Sequence, residues 1–446
     1  MERWWVGLVT LLVVLACVCS AVGIVGIWSA AQQPAQPQPA EQAPLTGKTA
    51  PGGTIAYVGT DGNLYTILPD GSRRQAVTDD QPAEGGRYNT LAWSLDGQLA
   101  FMTLTRNESA LFTVQPDGAR TRVYSGRPTA APFYLYWSPD GQRIAFLTAS
   151  QQGQMALWLA KGRDDDSAQT IATGSPSYFS WSPDSQSLLM HVGGAQSESK
   201  EARLAVFRAP SETTRLPDAP GTFQAPAWSP EGKRFLFVRE NDDGNDELIL
   251  AQDDQRDVLA SSRTGLVFAL SPQGNRVAFA RPNSQAGFLY ESIAVLDLDK
   301  KEQRVVARGQ AAAFFWSPDG SQLAVLSIDD SNRRPQGRRP VTSVRSEAAP
   351  LEQTSPVRLA WSIVHTADGA VDDAVSFHPT DSFLLLIPYF DQYAQSLSLW
   401  SPDSRYLVYS DLGPLDQPSI RVLDTTQPQQ PARRLADGSF AAWSWH

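Results

Sequence analysis

From residue 54 to residue 446 the apolar positions come in short runs separated by polar punctuation. Around residue 137 the runs are residues 133–137, 143–147, 157–159 and 170–172, rich in β-branched and aromatic side chains and bounded by Gly, Pro, Asp and Ser. Such runs are too short for ordinary helices and match strands. The same order of signals returns along the chain: an apolar run ending in Trp, a tight turn, an alternating run, a second apolar run and a polar stretch. Four short strands per repeat are therefore expected, and no long amphipathic helix pattern competes with them.

The punctuation after each first run is itself repeated. The copies are Trp93-Ser-Leu-Asp-Gly, Trp137-Ser-Pro-Asp-Gly, Trp181-Ser-Pro-Asp-Ser, Trp228-Ser-Pro-Glu-Gly, Leu270-Ser-Pro-Gln-Gly, Trp316-Ser-Pro-Asp-Gly, Trp400-Ser-Pro-Asp-Ser and a truncated Trp443-Ser-Trp-His. Their steps are 44, 44, 47, 42, 46, 84 and 43 residues. A period in the forties built from short strands is the signature of a β-propeller, one four-stranded blade per repeat. Pro presets φ near −65°, Asp suits the bridge region and Gly takes the positive φ that closes the hairpin, so Asp140, Asp319 and their equivalents read as turn formers. Asp70, Asp117 and Asp368 read as turns of a second hairpin. Trp93, Trp137, Trp181, Trp228, Trp316, Trp400 and Trp443, with Leu270 in the same place, are expected to pack between neighbouring blades, because a flat indole fills a wedge-shaped gap.

The first repeat begins at residues 54–58, which resemble a second strand, while residues 439–444 resemble a first strand with nothing after it. The carboxyl-terminal strand is thus expected to complete the amino-terminal blade and fasten the ring, which removes unprotected strand edges. Counting the motif copies gives an all-β, eight-bladed propeller, and seven blades with an appendage is the alternative. The long step from Trp316 to Trp400 carries about one blade's worth of extra chain. Part of it, residues 329–356, is rich in Arg, Pro, Ser and Gln and reads as a flexible insertion. Residues 357–365 resume the strand pattern, and residues 382–395 leave the repeat, as a short helix or a buried crossing.

These motifs resemble the TolB-type propeller repeat, which is also seen in the propellers of prolyl-oligopeptidase-like enzymes. The resemblance covers nearly all of residues 54–446 and implies a fold more than a function. TolB-like proteins carry an α/β domain before the propeller that does not appear in this sequence. The related peptidases carry a Gly-x-Ser-x-Gly nucleophile elbow, and no such pentapeptide occurs here.

Residues 4–28 are uncharged and bracketed by Trp4 and Trp28. At 1.5 Å per residue they are long enough to cross a hydrocarbon core of roughly 30 Å with some tilt. A single-pass anchor is the expectation, with residues 1–3 as its cytoplasmic end. A cleaved signal peptide, whose apolar region runs about 7 to 15 residues, is one alternative. A lipoprotein is the other, because Val14-Leu15-Ala16-Cys17 resembles a lipobox with Cys17 as the lipidated residue. Arg3 precedes the stretch and no Lys or Arg follows until Lys48, which places the propeller outside the cytoplasm. Residues 29–53, rich in Gln, Pro and Ala, read as a tether. Both cysteines, Cys17 and Cys19, lie in the apolar stretch, so the propeller has no disulfide.

Candidate chemistry is sparse. The four histidines, His191, His365, His378 and His446, form no His-Glu-x-x-His pair, and no cysteine spacing suits a metal, so no metal or cofactor is expected. The acidic stretch 241–247 and Asp164, Asp165 and Asp166 read as solvated hairpin loops rather than calcium sites. A net charge of −10 argues against nucleic acid. The arginines at 333, 334, 338, 339 and 345 are a local basic exception. The expected role is a non-enzymatic, monomeric, membrane-anchored extracytoplasmic scaffold that binds a protein or envelope polymer. The alternatives are a channel-mouth glycosidase or lyase, whose paired acids would lie about 44 residues apart in sequence, and a small-ligand or peptide sensor using Phe133, Tyr134, Tyr389 and Tyr393.

Overall fold

Short apolar runs between turn residues can satisfy their backbone groups only by pairing with one another, and each run pairs with the next. The computed structural model describes residues 52–79, 87–150, 153–195, 201–283, 289–329 and 357–445. The anchor, most of the tether, the insertion from 330, Cys17, the five arginines at 333–345 and His446 lie outside them. The described chain is all-β, mostly antiparallel sheets of four strands, an arrangement consistent with a propeller. Pro132–Trp137, Arg143–Ala149, Met155–Lys161 and Gln169–Gly174 make one such sheet, with the four runs of the repeat as its four strands.

Two sheets are wider because one strand serves two units. Glu302–Trp316 pairs through residues 302–311 with Tyr290–Asp297 and through residues 311–316 with Gln322–Ile328. Arg433–Trp443 pairs through residues 433–437 with Pro418–Asp424 and through residues 438–443 with Ile55–Gly59. The second case joins the first and last described strands in one sheet, as the strand pattern of residues 54–58 and 439–444 predicts.

The repeated indoles tie the inner strands of successive units. Trp93 Nε1 donates to Ala442 O, Trp137 to Ala92 O, Trp181 to Tyr136 O, Trp316 to Ala269 O and Trp400 to Phe315 O, at 2.9–3.3 Å. Each acceptor immediately precedes the repeat residue of the preceding unit, so the five bonds run in one sense from unit to unit. Leu270 has no indole to contribute, and the buried Nε1 atoms of Trp228 and Trp443 find no acceptor among the described residues.

Below the indoles the turns interlock. Within the turns, Ser94, Ser138, Ser182, Ser317 and Ser401 donate to Asp96, Asp140, Asp184, Asp319 and Asp403 at 2.5–2.6 Å. Asp140, Asp184 and Asp319 in turn accept the N–H two residues on. Gly320, at φ +67°, lies so close to the neighbouring turn that a Cβ there would overlap the Gln273 side chain. Two units place Ser at this left-handed position, Ser185 and Ser404, and their hydroxyls accept the Asp140 and Asp319 N–H groups at 2.9 and 3.0 Å. The strain of a side chain at positive φ is offset by a bond between units.

Candidate functional site

Where the repeat breaks down, between Phe377 and Leu399, the chain turns into helix and enters the middle of the ring. Thr380 caps the helix Asp381–Leu384, its hydroxyl accepting the Phe383 N–H. It also donates to Ser439 O at 2.7 Å and lies 2.8 Å from the Ser410 hydroxyl, which fixes the entry to the closing strand. Pro388 opens a short 3-10 turn, and Phe390–Ser396 is helical. Phe383, Leu386, Ile387 and Phe390 of this segment are buried. Phe383 packs on Trp361 and Phe377, and Phe390 meets Phe314 at 4.7 Å and Tyr290 at 5.9 Å between ring centroids.

The inner strands present unpaired backbone groups toward the ring's middle, and side chains of this segment bind them. The Gln392 amide accepts the Phe179 N–H and donates to the Phe179 carbonyl, both at 2.9 Å, as a neighbouring peptide unit would. It donates also to the Tyr134 hydroxyl at 2.6 Å, and that hydroxyl donates to Gln392 O at 3.0 Å. Asp391 Oδ2 accepts the Ala225 N–H at 2.8 Å, Gln395 donates to Pro226 O at 2.9 Å, and the Tyr393 hydroxyl donates to Phe133 O at 2.9 Å.

Burial dominates the electrostatics here. Asp391 is enclosed, and loss of hydration pushes its carboxyl up to about 6, against the pull of the Ala225 N–H. Burial likewise raises the Tyr178 and Tyr290 phenols, and the nearby Asp391 carboxylate adds to it. His191 packs on Phe223, its Nδ1 lies 3.1 Å from Gln224 O, and burial pushes the imidazole down to about 4. Since a carbonyl can only accept, Nδ1 carries the proton and the ring is neutral.

The structure brings together Phe133, Tyr134, Tyr389 and Tyr393, the aromatic set read from the sequence. Tyr134 and Tyr393 rings lie 5.2 Å apart, and Tyr389 packs edge-on to Tyr178 at 6.4 Å. They hold the chain's own helix. The turn aspartates Asp140 and Asp319 stay in their separate turns, and Asp70, Asp117 and Asp368 accept the N–H two residues on in theirs. Asp164 pairs with Lys161 at 3.0 Å, Asp165 accepts the Arg122 N–H and Asp166 faces Arg122 at 3.6 Å. The stretch 241–247 departs from a solvated loop at one end: Asp246 is buried and accepts the Thr222 N–H, and Glu247 pairs with Arg239. His365 meets Asp372 at 2.9 Å, and the His378 N–H donates to Asp411 at 3.2 Å. Among the described residues no three His, Cys, Asp or Glu side chains gather as metal ligands.

Sequence reasoning missed Asp391, Gln392 and Gln395. Their signal is a run of amide and carboxyl residues directly after an apolar stretch, in a segment that leaves the repeat. A second feature is a groove of about 420 Å³ at the closure seam, lined by Thr54, Trp93, Val114, Gln115, Pro116 and Trp445 among others, with no titratable side chain in its walls.

No family model matches the sequence, and no curated protein matches it. Among solved structures, the chain is similar to TolB from Acinetobacter baumannii, at 18% identity over 58% of this chain and 66% of that one, with a TM-score of 0.35. It is similar to an oligogalacturonate lyase from Vibrio parahaemolyticus at 12% identity, over 80% and 87% of the two chains, with a TM-score of 0.45. It is also similar to a puromycin-hydrolyzing peptidase from Mycobacterium tuberculosis, at 14% identity over 79% and 53%, with a TM-score of 0.47.

Proposed function

We propose that this chain is a non-enzymatic binding scaffold: an eight-bladed propeller held outside the cytoplasm by residues 4–28, on a tether of residues 29–53, that binds a protein or envelope polymer. The observation that carries this reading is the helical segment in the ring's middle. A channel-mouth enzyme needs inward acids open to a substrate. Here the inward backbone and aromatic groups are bound to Phe390, Asp391, Gln392 and Tyr393, and Asp391 itself faces Ala225. Recognition then falls to loops.

The topology favours one set of loops. Thr54 pairs with Ser444 beside the interlocked turns, so the tether joins the ring at its turn end. Residues 390–397 precede an inner strand, which runs from them toward the turns, so the helical segment lies at the opposite end. The hairpin tip at Leu415, 92% exposed, and Leu385, 59% exposed, belong to that far end.

Crosslinking in native membranes, followed by recovery of the full chain in mild detergent, tests this reading. The expected result is one retained partner whose recovery falls with Leu415→Asp and not with Lys233→Glu at the turn end. Empty recovery, or turnover of glycans or peptides by the purified chain, would remove the proposal's support.

A further inference from the structure

We infer that residues 378–397 form a protonation-gated stopper, which seats in the ring while the Asp391 carboxyl is neutral and loosens once that carboxyl ionises. The inference concerns the ring's own interior and holds whichever partner the scaffold binds.

The geometry supplies the gate. Asp391 is buried at the heart of the contact, with the Ala225 N–H on Oδ2, and no Lys, Arg or His pairs with it among the described residues. The strand Ser177–Trp181 faces it with Tyr178, and the strand Tyr290–Asp297 faces it with Tyr290. Its own segment adds Tyr389 and Tyr393, and Pro132–Trp137 adds Tyr134 beside Gln392. Val267–Leu270 and residues 311–316, which also pack on the helix, contribute no titratable side chain. Burial raises the Tyr134, Tyr178 and Tyr290 phenols, which therefore stay protonated, and His191, behind Phe223, titrates near 4, below the relevant range. Ionisation therefore leaves a negative charge in the middle of the ring with hydrogen bonds but no counter-charge, and such a charge is costly unless water reaches it.

The sign follows from the raised carboxyl. Seated, Asp391 titrates near 6; released into water it returns to the ordinary aspartate range. Seating is therefore most favourable below about pH 4 and weakens as pH rises through about 6, after which it is constant. Between about pH 5 and about pH 7.5 the opening equilibrium should grow about tenfold.

Hydrogen exchange of the full chain in detergent, corrected for the intrinsic rate at each pH, reads this opening from peptides spanning residues 381–397. The wild type should lose about tenfold protection across that window, and Asp391→Asn should show the same protection throughout. Tyr134→Phe should open more at every pH with the slope kept, and His191→Leu should keep the slope as well. A flat wild-type profile, an Asp391→Asn variant that retains the slope, or a His191→Leu variant that loses it would overturn the inference. Should Asp391→Asn fail to fold, the wild-type and His191→Leu profiles still decide.

Discussion

Ser444 donates its backbone N–H to the Thr54 carbonyl at 2.7 Å, and its hydroxyl accepts the Thr54 N–H at 2.8 Å, tying together residues 390 positions apart. This reciprocal pair ends the seam along which residues 438–443 lie against Ile55–Gly59. Removing residues 439–446 deletes that edge, the buried Trp443 side chain and the Trp445 bond to Trp93 O. The deletion should cost more than about 5 kcal/mol, since each large core side chain lost costs about 3–5 kcal/mol. Urea unfolding would show this as a collapsed midpoint, and an unchanged midpoint would refute closure by this strand.

Gln392→Ala strips partners from the Phe179 N–H, the Phe179 carbonyl and the Tyr134 hydroxyl. Groups left buried and unsatisfied cost about 1–3 kcal/mol each, partly recovered where water enters. A loss of about 2–4 kcal/mol in chemical denaturation is expected. A loss below about 0.5 kcal/mol would mean that these contacts do not hold the segment.

The indole ring makes a paired comparison possible. Trp316 donates to Ala269 O at 2.9 Å, while the Trp228 indole N–H has no described acceptor. Trp316→Phe should therefore cost about 1 kcal/mol more than Trp228→Phe, the net worth of one hydrogen bond. Equal melting shifts would contradict the assignment of the indoles as links between units.

At Ser185 two effects oppose each other, strain at φ +62° and the bond from the Asp140 N–H. Ser185→Ala keeps the strain and loses the bond; Ser185→Gly loses both. The alanine variant should be the less stable by about 1 kcal/mol. Thermal melts of the two variants, with Ser404 as a replicate site, give the order directly.

His191 governs the acid limb. Its folded pKa of about 4 lies below the free value of about 6.5, so the stability it contributes is complete above pH 6.5 and is lost as pH falls toward 4. The loss approaches about 3 kcal/mol. His191→Leu should flatten that part of the melting temperature profile relative to wild type. Parallel profiles would show that the imidazole is not buried neutral.

The periodic Trp, the turn residues after it and the strand-like ends of the chain were readable because each is a local, repeated solution. A Pro-Asp-Gly turn has the same φ preferences in every unit, and a run such as residues 143–147 can only be satisfied as a strand. The same reading singled out Phe133, Tyr134, Tyr389 and Tyr393 as a candidate ligand-binding set, yet it could not show what they meet. Tyr134 and Gln392 are 258 positions apart, and no local rule links them.

Sequence alone determined the unit, its turns and the likeness of the first and last strands, because those depend on neighbouring residues and on a period. Tertiary structure decided that the ring's middle is occupied by its own chain, that Asp391 lies there with no counter-charge among the described residues, and that Ser185 and Ser404 join turns of different units. Those outcomes depend on closure, which brings backbone edges from distant repeats around one axis, where burial rather than residue type sets the chemistry.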